Sequence, residues 1–138
     1  MEDIDRRSVL ALGLVAMSGV AFPISAAAET YEPDRGMEIA PGVRQIELGS
    51  HASTLPGYKM ISMRDVVFQP GTNTYEPSAP HDMVCYVPEG NLKVTQGGSD
   101  WFARIAAGPW TTRRGIKTAY KNMFQDVAIL RVIDLVAA

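Results

Sequence analysis

The sequence is poor in the residues that build metal clusters and disulfide frameworks. Its 138 residues include one Cys and two His, which excludes an internal disulfide and any zinc site built from several cysteines. Positive charge is not in excess either, since Lys and Arg number 13 against 15 for Asp and Glu. This balance argues against binding to nucleic acid by neutralisation of phosphates. The chain is 46% hydrophobic and 20% charged, which is typical of a globular protein with room for one domain.

The apolar run near the N-terminus is too short for an ordinary membrane span. It covers residues 9–22, or 14 residues, whereas a spanning helix needs about 20. Arg6 and Arg7 precede it and three alanines follow, and this order resembles a twin-arginine export signal. We therefore predict a signal peptide at residues 1–28 and a mature domain at 29–138 that is periplasmic or secreted and not membrane-bound after cleavage. A buried N-terminal helix and an uncleaved membrane anchor are the alternatives.

The rest of the chain has the pattern of short β-strands separated by Gly, Pro and Asn turns. Residues 29–42 are predicted to be an extended arm or loop, and 51–57 a loop. Strands at intervals of about 8–12 residues indicate a sandwich or barrel. The predicted strands are 43–48, 58–69, 83–88, 92–96, 101–106, 115–121 and 124–135.

The last predicted strand is apolar on both faces. Val127, Ile129 and Ile133 share one face, whereas Ala128, Leu130 and Val132 share the other. A strand at the surface would alternate, so both faces should be covered by a second sheet or by a partner subunit. Burial within the monomer is the prediction, and a homodimer contact is the alternative. Pro88 inside another strand indicates a strand end or edge.

A skeleton of glycines and turns extends over residues 71–122. Gly71 opens a first motif, which the turn at 87–90 (VPEG) closes, while Gly115 and Asn122 have the spacing of a second motif. Together these positions resemble the two motifs of the cupin family, G-x5-H-x-H-x3,4-E-x6-G and G-x5-P-x-G-x2-H-x3-N. The resemblance implies an all-β fold, a cupin-type jelly-roll β-barrel.

The metal-ligand positions of those motifs hold other residue types. Met83 stands at the position of the family's glutamate, and Thr118 stands at that of its third histidine. The two neighbouring histidine positions fall, in the two allowed spacings, on Pro77 and Ala79 or on Glu76 and Ser78. We therefore expect no metal and no other cofactor.

A rearranged metal site is the alternative. If inward side chains recur at every second residue, His81, Met83 and Cys85 would form a column of donors that suits a divalent transition metal. Glu76 could add an oxygen, and His51 a second imidazole if its loop folded over the barrel mouth. His81 would then act as a ligand or as a general base in a metal-dependent oxygenase, isomerase or lyase.

Strand parity also predicts a pocket inside the barrel. Its residues would combine apolar surface with a few hydrogen-bonding groups, as small-molecule pockets do, although a filled core has the same composition. The predicted pocket residues are Met83, Cys85, Thr118, Tyr120 and Asn122. The sequence thus favours an exported protein that binds a small organic ligand without the family's metal. Catalysis is left open, and a structural or partner-binding homodimer module is the third hypothesis.

Four cations lie close together in the sequence, at Arg113, Arg114, Lys117 and Lys121. They could form an anion site. If Thr118 points inward, however, Lys117 and Lys121 point to solvent, and the cluster is then an outer face that blunts a strand edge.

Overall fold

The computed structural model describes residues 31–97, 104–105 and 107–138. The predicted signal peptide, residues 1–28, lies outside these ranges. The described part of the chain forms ten strands and no helix, so none of its segments is a helix able to cross a membrane. The strands are β1 (Met37–Ala40), β2 (Val43–Ala52), β3 (Tyr58–Phe68), β4 (Asn73–Glu76), β5 (Asp82–Glu89), β6 (Lys93–Gln96), β7 (Arg104–Ile105), β8 (Trp110–Thr112), β9 (Thr118–Lys121) and β10 (Ala128–Ala137).

The strands form two antiparallel sheets. One has six strands in the order β1-β2-β3-β10-β5-β8, and the other has four in the order β4-β9-β6-β7. Several chain-order neighbours lie in different sheets, so the chain crosses repeatedly between the sheets, as in a jelly roll. The all-β prediction is confirmed.

The predicted strands are present, with changes at their ends. The strands predicted at 58–69, 83–88 and 92–96 correspond closely to β3, β5 and β6. The strand at 115–121 begins later than predicted, and the one at 124–135 begins four residues later and runs to Ala137. Only β7 is described within 101–106. The short strands β1, β4 and β8 were not predicted, because three or four residues carry too little alternation to be recognised.

The predicted loop at 51–57 is wrong at its start, because β2 continues to Ala52. The register against β3 shifts between Glu47 and Gly49, which leaves Leu48 as the extra residue of a β-bulge. Leu48 is exposed. The apolar residues of β2 end at Leu48, so the sequence signal ends there although the hydrogen-bonded ladder continues to Ala52.

The main core lies between the two sheets. Met83 and Cys85 are buried in it, as the alternation predicted, and Val87 packs against it, whereas His81 precedes β5 and is not part of this core. Phe68 of β3 contacts Tyr120 of β9 edge-on, with ring centroids 6.4 Å apart. This contact links the two sheets beside the cavity described below.

The outer face of β10 is covered at its start by Tyr31 from the segment before β1. Ile129 packs there with Ile46 and Val67 in a second cluster, against which Tyr31 lies. The Tyr31 hydroxyl donates to the buried Asp65. The inward face of this strand is buried as predicted, with Ala128, Leu130 and Val132 in the main core. The outer face is buried only at Ile129, whereas Val127 and Ile133 are half-buried. The prediction that both faces are covered therefore holds at Ile129 and not along the whole strand.

Pro88 lies in a second β-bulge near the end of β5. The register against β10 moves from Tyr86 opposite Arg131 to Glu89 opposite Ile129, so two residues of β5 oppose Leu130 alone. A bulge tolerates proline because the ladder is already interrupted there. Gly90 follows at once with a φ of 77° and turns the chain away from the sheet.

Candidate functional site

A cavity of about 510 Å³ lies between the sheets. This volume is within the range of roughly 300–1,000 Å³ that is usual for small-molecule sites. Its deep wall is apolar and comes from β3 and β10, which contribute Val66, Phe68, Leu130 and Val132. The other lining residues lie on β1, β2, β3, β4, β5 and β9 and in the turn after β1: Ile39, Ala40, Pro41, Gln45, Arg64, Asn73, Thr74, Tyr75, Glu76, Met83, Thr118 and Tyr120.

One wall of the cavity carries an ion pair. The Arg64 guanidinium donates to Asp134 through Nε at 2.8 Å and Nη2 at 3.3 Å. It also donates through Nη1 to Gln45 at 3.0 Å and reaches the Met83 sulfur with Nη2 at 3.6 Å. Burial lowers the pKa of Arg64, but the hydrogen bonds to Asp134 outweigh this and raise it. The cavity wall therefore holds a permanent cation whose charge Asp134 balances.

Two residues with buried hydroxyls lie on the opposite wall. Thr118 and Tyr120 are two residues apart on β9, so their side chains share the inward face. They are only 2% and 7% exposed. The Tyr120 hydroxyl interacts with the Thr118 hydroxyl and the Cys85 thiol, although neither hydroxyl has a hydrogen bond of standard geometry within the described residues. Burial raises the pKa of Tyr120, so the phenol keeps its proton.

Cys85 is next to this site and does not line the cavity. It is 0% exposed, and burial is the main reason why its pKa rises to about 11. A thiol with that pKa is protonated at neutral pH, whereas a nucleophile or a metal ligand must be a thiolate. The complete burial of Cys85 and its place in the main core are typical of a packing residue.

The raised pKa of Cys85 predicts a pH dependence of stability. The unfolded thiol ionises near 9.0 and the folded one near 11, so the native state retains its proton to higher pH. The contribution of the protonated Cys85 thiol to the free energy of unfolding is complete below pH 9 and is lost as the pH rises to 11. We expect Cys85→Ala to reduce this loss by about 2–3 kcal/mol relative to wild type. Urea unfolding of both proteins at pH 8 and pH 11 measures the difference, and equal losses in the two proteins would contradict the prediction.

The residues of the predicted rearranged metal site do not come together. Glu76 lies at the cavity, exposed; His81 is half-buried just before β5 and is not in the lining. His51 lies exposed on β2 rather than in a loop over the mouth. Within the described ranges, no three His, Cys, Asp or Glu side chains form a group that could hold a metal ion.

The cupin metal positions do not fit a metal in this chain. Met83 contributes a thioether that already contacts the Arg64 guanidinium, and Thr118 contributes only a neutral hydroxyl. Pro77 and Ala79 have no donor atom, and the alternative Glu76 and Ser78 are both exposed. A cation beside the would-be ligand opposes a second cation by charge repulsion. This donor set does not match the His and carboxylate ligands of such sites.

Asn122 is buried but has a structural task. Its side-chain amide donates to the backbone oxygens of Phe68 and Asp126 at 3.0 and 2.9 Å. Its Oδ1 accepts from the Phe124 amide at 3.0 Å. These bonds stabilise the turn between β9 and β10. Asn122, although predicted as a pocket residue, is not part of the cavity lining. Met83, Thr118 and Tyr120, by contrast, all lie in it.

Lys117 and Lys121 are exposed, as parity predicted, and so are Arg113 and Arg114. The backbone amide of Arg114 donates to Asp82 Oδ1 at 2.8 Å. Asp82 also accepts from the Tyr58 hydroxyl. The cation cluster is thus part of an outer surface and does not line the barrel cavity.

The ion pair in the cavity wall was missed by the sequence analysis. Arg64 has the same strand parity as Val66 and Phe68, and Asp134 has that of Leu130 and Val132. Inward-facing charges of opposite sign on two apolar strands were the available signal. Recognising it requires knowledge that β3 and β10 are neighbours.

Comparison with known proteins identifies the fold. No family model matches the sequence, and no curated protein matches it. Among solved structures, KdgF from Halomonas sp. is 16% identical with a TM-score of 0.52, over 72% of this chain and 85% of that one.

Two further structures are similar. An RmlC-like cupin from Shewanella frigidimarina is 14% identical with a TM-score of 0.53, over 76% of this chain and 87% of that one. A recombinant oxalate oxidase in complex with glycolate is 24% identical with a TM-score of 0.55, over 75% of this chain but 56% of that one. At these identities the likeness concerns architecture, and the chain has the cupin-type jelly-roll fold.

Proposed function

We propose that the protein is an exported small-molecule-binding protein, periplasmic or secreted, whose cupin barrel works without the metal found in that fold. The twin-arginine-like N-terminus supports export. The cavity supports a small organic ligand, since its volume is that of small-molecule sites and its deep wall is apolar with polar groups around it.

One observation carries the metal-free part of this proposal. The Arg64 guanidinium lies 3.6 Å from the sulfur of Met83, so a permanent cation occupies the neighbourhood of the cupin glutamate position. Its counter-charge comes from Asp134, which is 6% exposed. The site therefore holds a balanced ion pair of its own.

The first test combines elemental analysis with a binding assay. Both use the full chain as the expression host yields it, with or without cleavage of the predicted signal peptide. We expect no stoichiometric transition metal to survive dialysis. The neutral fluorophore N-phenyl-1-naphthylamine should bind at one site. Thr74→Trp, which places an indole in the cavity lining, should weaken that binding by about tenfold or more, because the probe loses the space it fills.

Thr111→Trp is the matched control. Thr111 lies on β8, is exposed, and does not line this cavity, so the same substitution there should leave probe affinity unchanged. A transition metal retained at one per chain, or equal affinity in wild type and Thr74→Trp, would overturn the proposal.

A further inference from the structure

A second cleft lies on the outer surface of the protein, apart from the barrel cavity. Its volume is about 450 Å³, and its lining includes Arg113, Arg114, Tyr58, Asp82 and Leu135. None of these five residues lines the barrel cavity. The lining of the outer cleft therefore carries two positive side chains and one negative side chain.

The two arginines belong to a turn that backbone hydrogen bonds hold in place. The Ile116 amide donates to the Arg113 oxygen at 3.1 Å and closes the turn, in which Gly115 has a φ of 89°. The Gly115 amide donates to the Ala79 oxygen at 2.8 Å, and the Ala79 amide donates to the Ile116 oxygen at 2.9 Å. The backbone positions of both arginines are thus fixed before a ligand arrives, which lowers the entropic cost of binding.

The guanidinium donors of this turn are not used by the protein. Within the described residues, neither Arg113 nor Arg114 forms a side-chain ion pair or hydrogen bond, and Arg114 contacts Asp82 through its backbone amide. Both oxygens of Asp82 are occupied, since Oδ1 accepts from that amide at 2.8 Å and Oδ2 accepts from the Tyr58 hydroxyl at 2.6 Å. An entering anion would meet free donors, whereas an entering cation would meet two like charges.

Apolar surface adjoins the arginines. A neighbouring cleft of about 270 Å³ shares Arg113 and Leu135 with the first and adds Val84 to the lining. Val84 lies opposite Ile133 in the ladder between β5 and β10. Val84, Ile133 and Leu135 belong to neither of the two core clusters. The two clefts together form a groove, called here the outer groove, that has a cationic part and an apolar part.

We propose that the outer groove binds a small organic carboxylate, whose charged group is held by Arg113 and Arg114 and whose apolar body lies on Val84 and Leu135. A guanidinium pairs with a planar carboxylate through two parallel hydrogen bonds. This site is separate from the barrel cavity and does not depend on the function proposed for that cavity.

The test compares the fluorescent carboxylate dansylglycine with its uncharged amide, dansylglycinamide, on the full chain at low ionic strength. Dansyl emission reports contact of the probe with apolar surface. We expect the acid to bind about tenfold more tightly than the amide, and its affinity to fall as NaCl is added. Arg113→Gln and Arg114→Gln should each weaken the acid by about threefold to tenfold and leave the amide unchanged. Neither substitution removes the backbone bond to Asp82.

Lys117→Gln and Lys121→Gln are the matched controls, because both lysines are exposed and neither lines the outer groove. Each removes the same charge as an arginine variant and should change the affinity for the acid by less than about twofold. Leu135→Ala tests the apolar part, and it should weaken the acid and the amide alike by about threefold, because apolar contact is lost.

Thr74→Trp, which obstructs the barrel cavity, should leave dansylglycine binding unchanged. Loss of binding in that variant would locate the probe in the barrel, which overturns this inference and supports the barrel site. Equal affinities for acid and amide, lysine variants as impaired as the arginine variants, or no binding of dansylglycine would also overturn it. None of these three results affects the barrel proposal, which is tested by N-phenyl-1-naphthylamine.

Discussion

Gly90→Ala is expected to lower the free energy of unfolding by about 3–5 kcal/mol, by adding backbone strain to steric overlap. The φ of Gly90 is 77°, a left-handed conformation that alanine adopts only with strain. A Cβ there would overlap the carbonyl oxygen of Val127 and lie 2.7 Å from the Cα of Ala128. Both are backbone atoms where the chain enters β10, one of the two central strands of the larger sheet, so the clash cannot be relieved by a change of rotamer. Urea unfolding followed by circular dichroism measures the loss.

Gly71→Ala separates the two causes. Gly71 has a similar φ of 81° but no atom within 4 Å of the added Cβ, so it should lose only the backbone part, about 1–2 kcal/mol. Equal losses at the two glycines would show that conformation alone matters at Gly90. The distance between the turn after β5 and the start of β10 would then be larger than in the structure.

The fold was largely predictable because its signals are local. A long run with few breaker residues, closed by Pro70 and Gly71, marks a strand such as Tyr58–Phe68, and Gly and Pro mark the other turns. Strands of three or four residues lack that signal. The cover of Ile129 by Tyr31 could not be predicted either, because it depends on where an irregular arm crosses the sheet.

The cavity residues were predictable only where strand parity suffices. Met83, Thr118 and Tyr120 face inward because side chains alternate with period two. The contact between Arg64 and Asp134 joins residues 70 positions apart, so sheet order had to be known first. Asn122 has the predicted burial, but its bonds to the backbones of Phe68 and Asp126 reflect a tertiary turn that composition does not encode.

Arg64→Met is expected to lower the free energy of unfolding by about 3 kcal/mol, because it removes one member of a buried ion pair. The Asp134 side chain, 9% exposed, would be left without the guanidinium that offsets its lost hydration. Arg113→Met, at an exposed arginine, is the control and should change stability by less than about 0.5 kcal/mol.

The double variant Arg64→Met with Asp134→Leu should regain most of that loss, since well-packed apolar residues often replace a buried pair at no net cost. Urea unfolding of the two single variants and the double variant gives the coupling energy between the positions. Near-complete recovery would mean that the pair contributes little net stability and that its effect is to set the polarity of the cavity wall beside Met83. If the double variant is instead no more stable than Arg64→Met, the pair itself is required for packing between β3 and β10, and the cavity wall has no stable uncharged form.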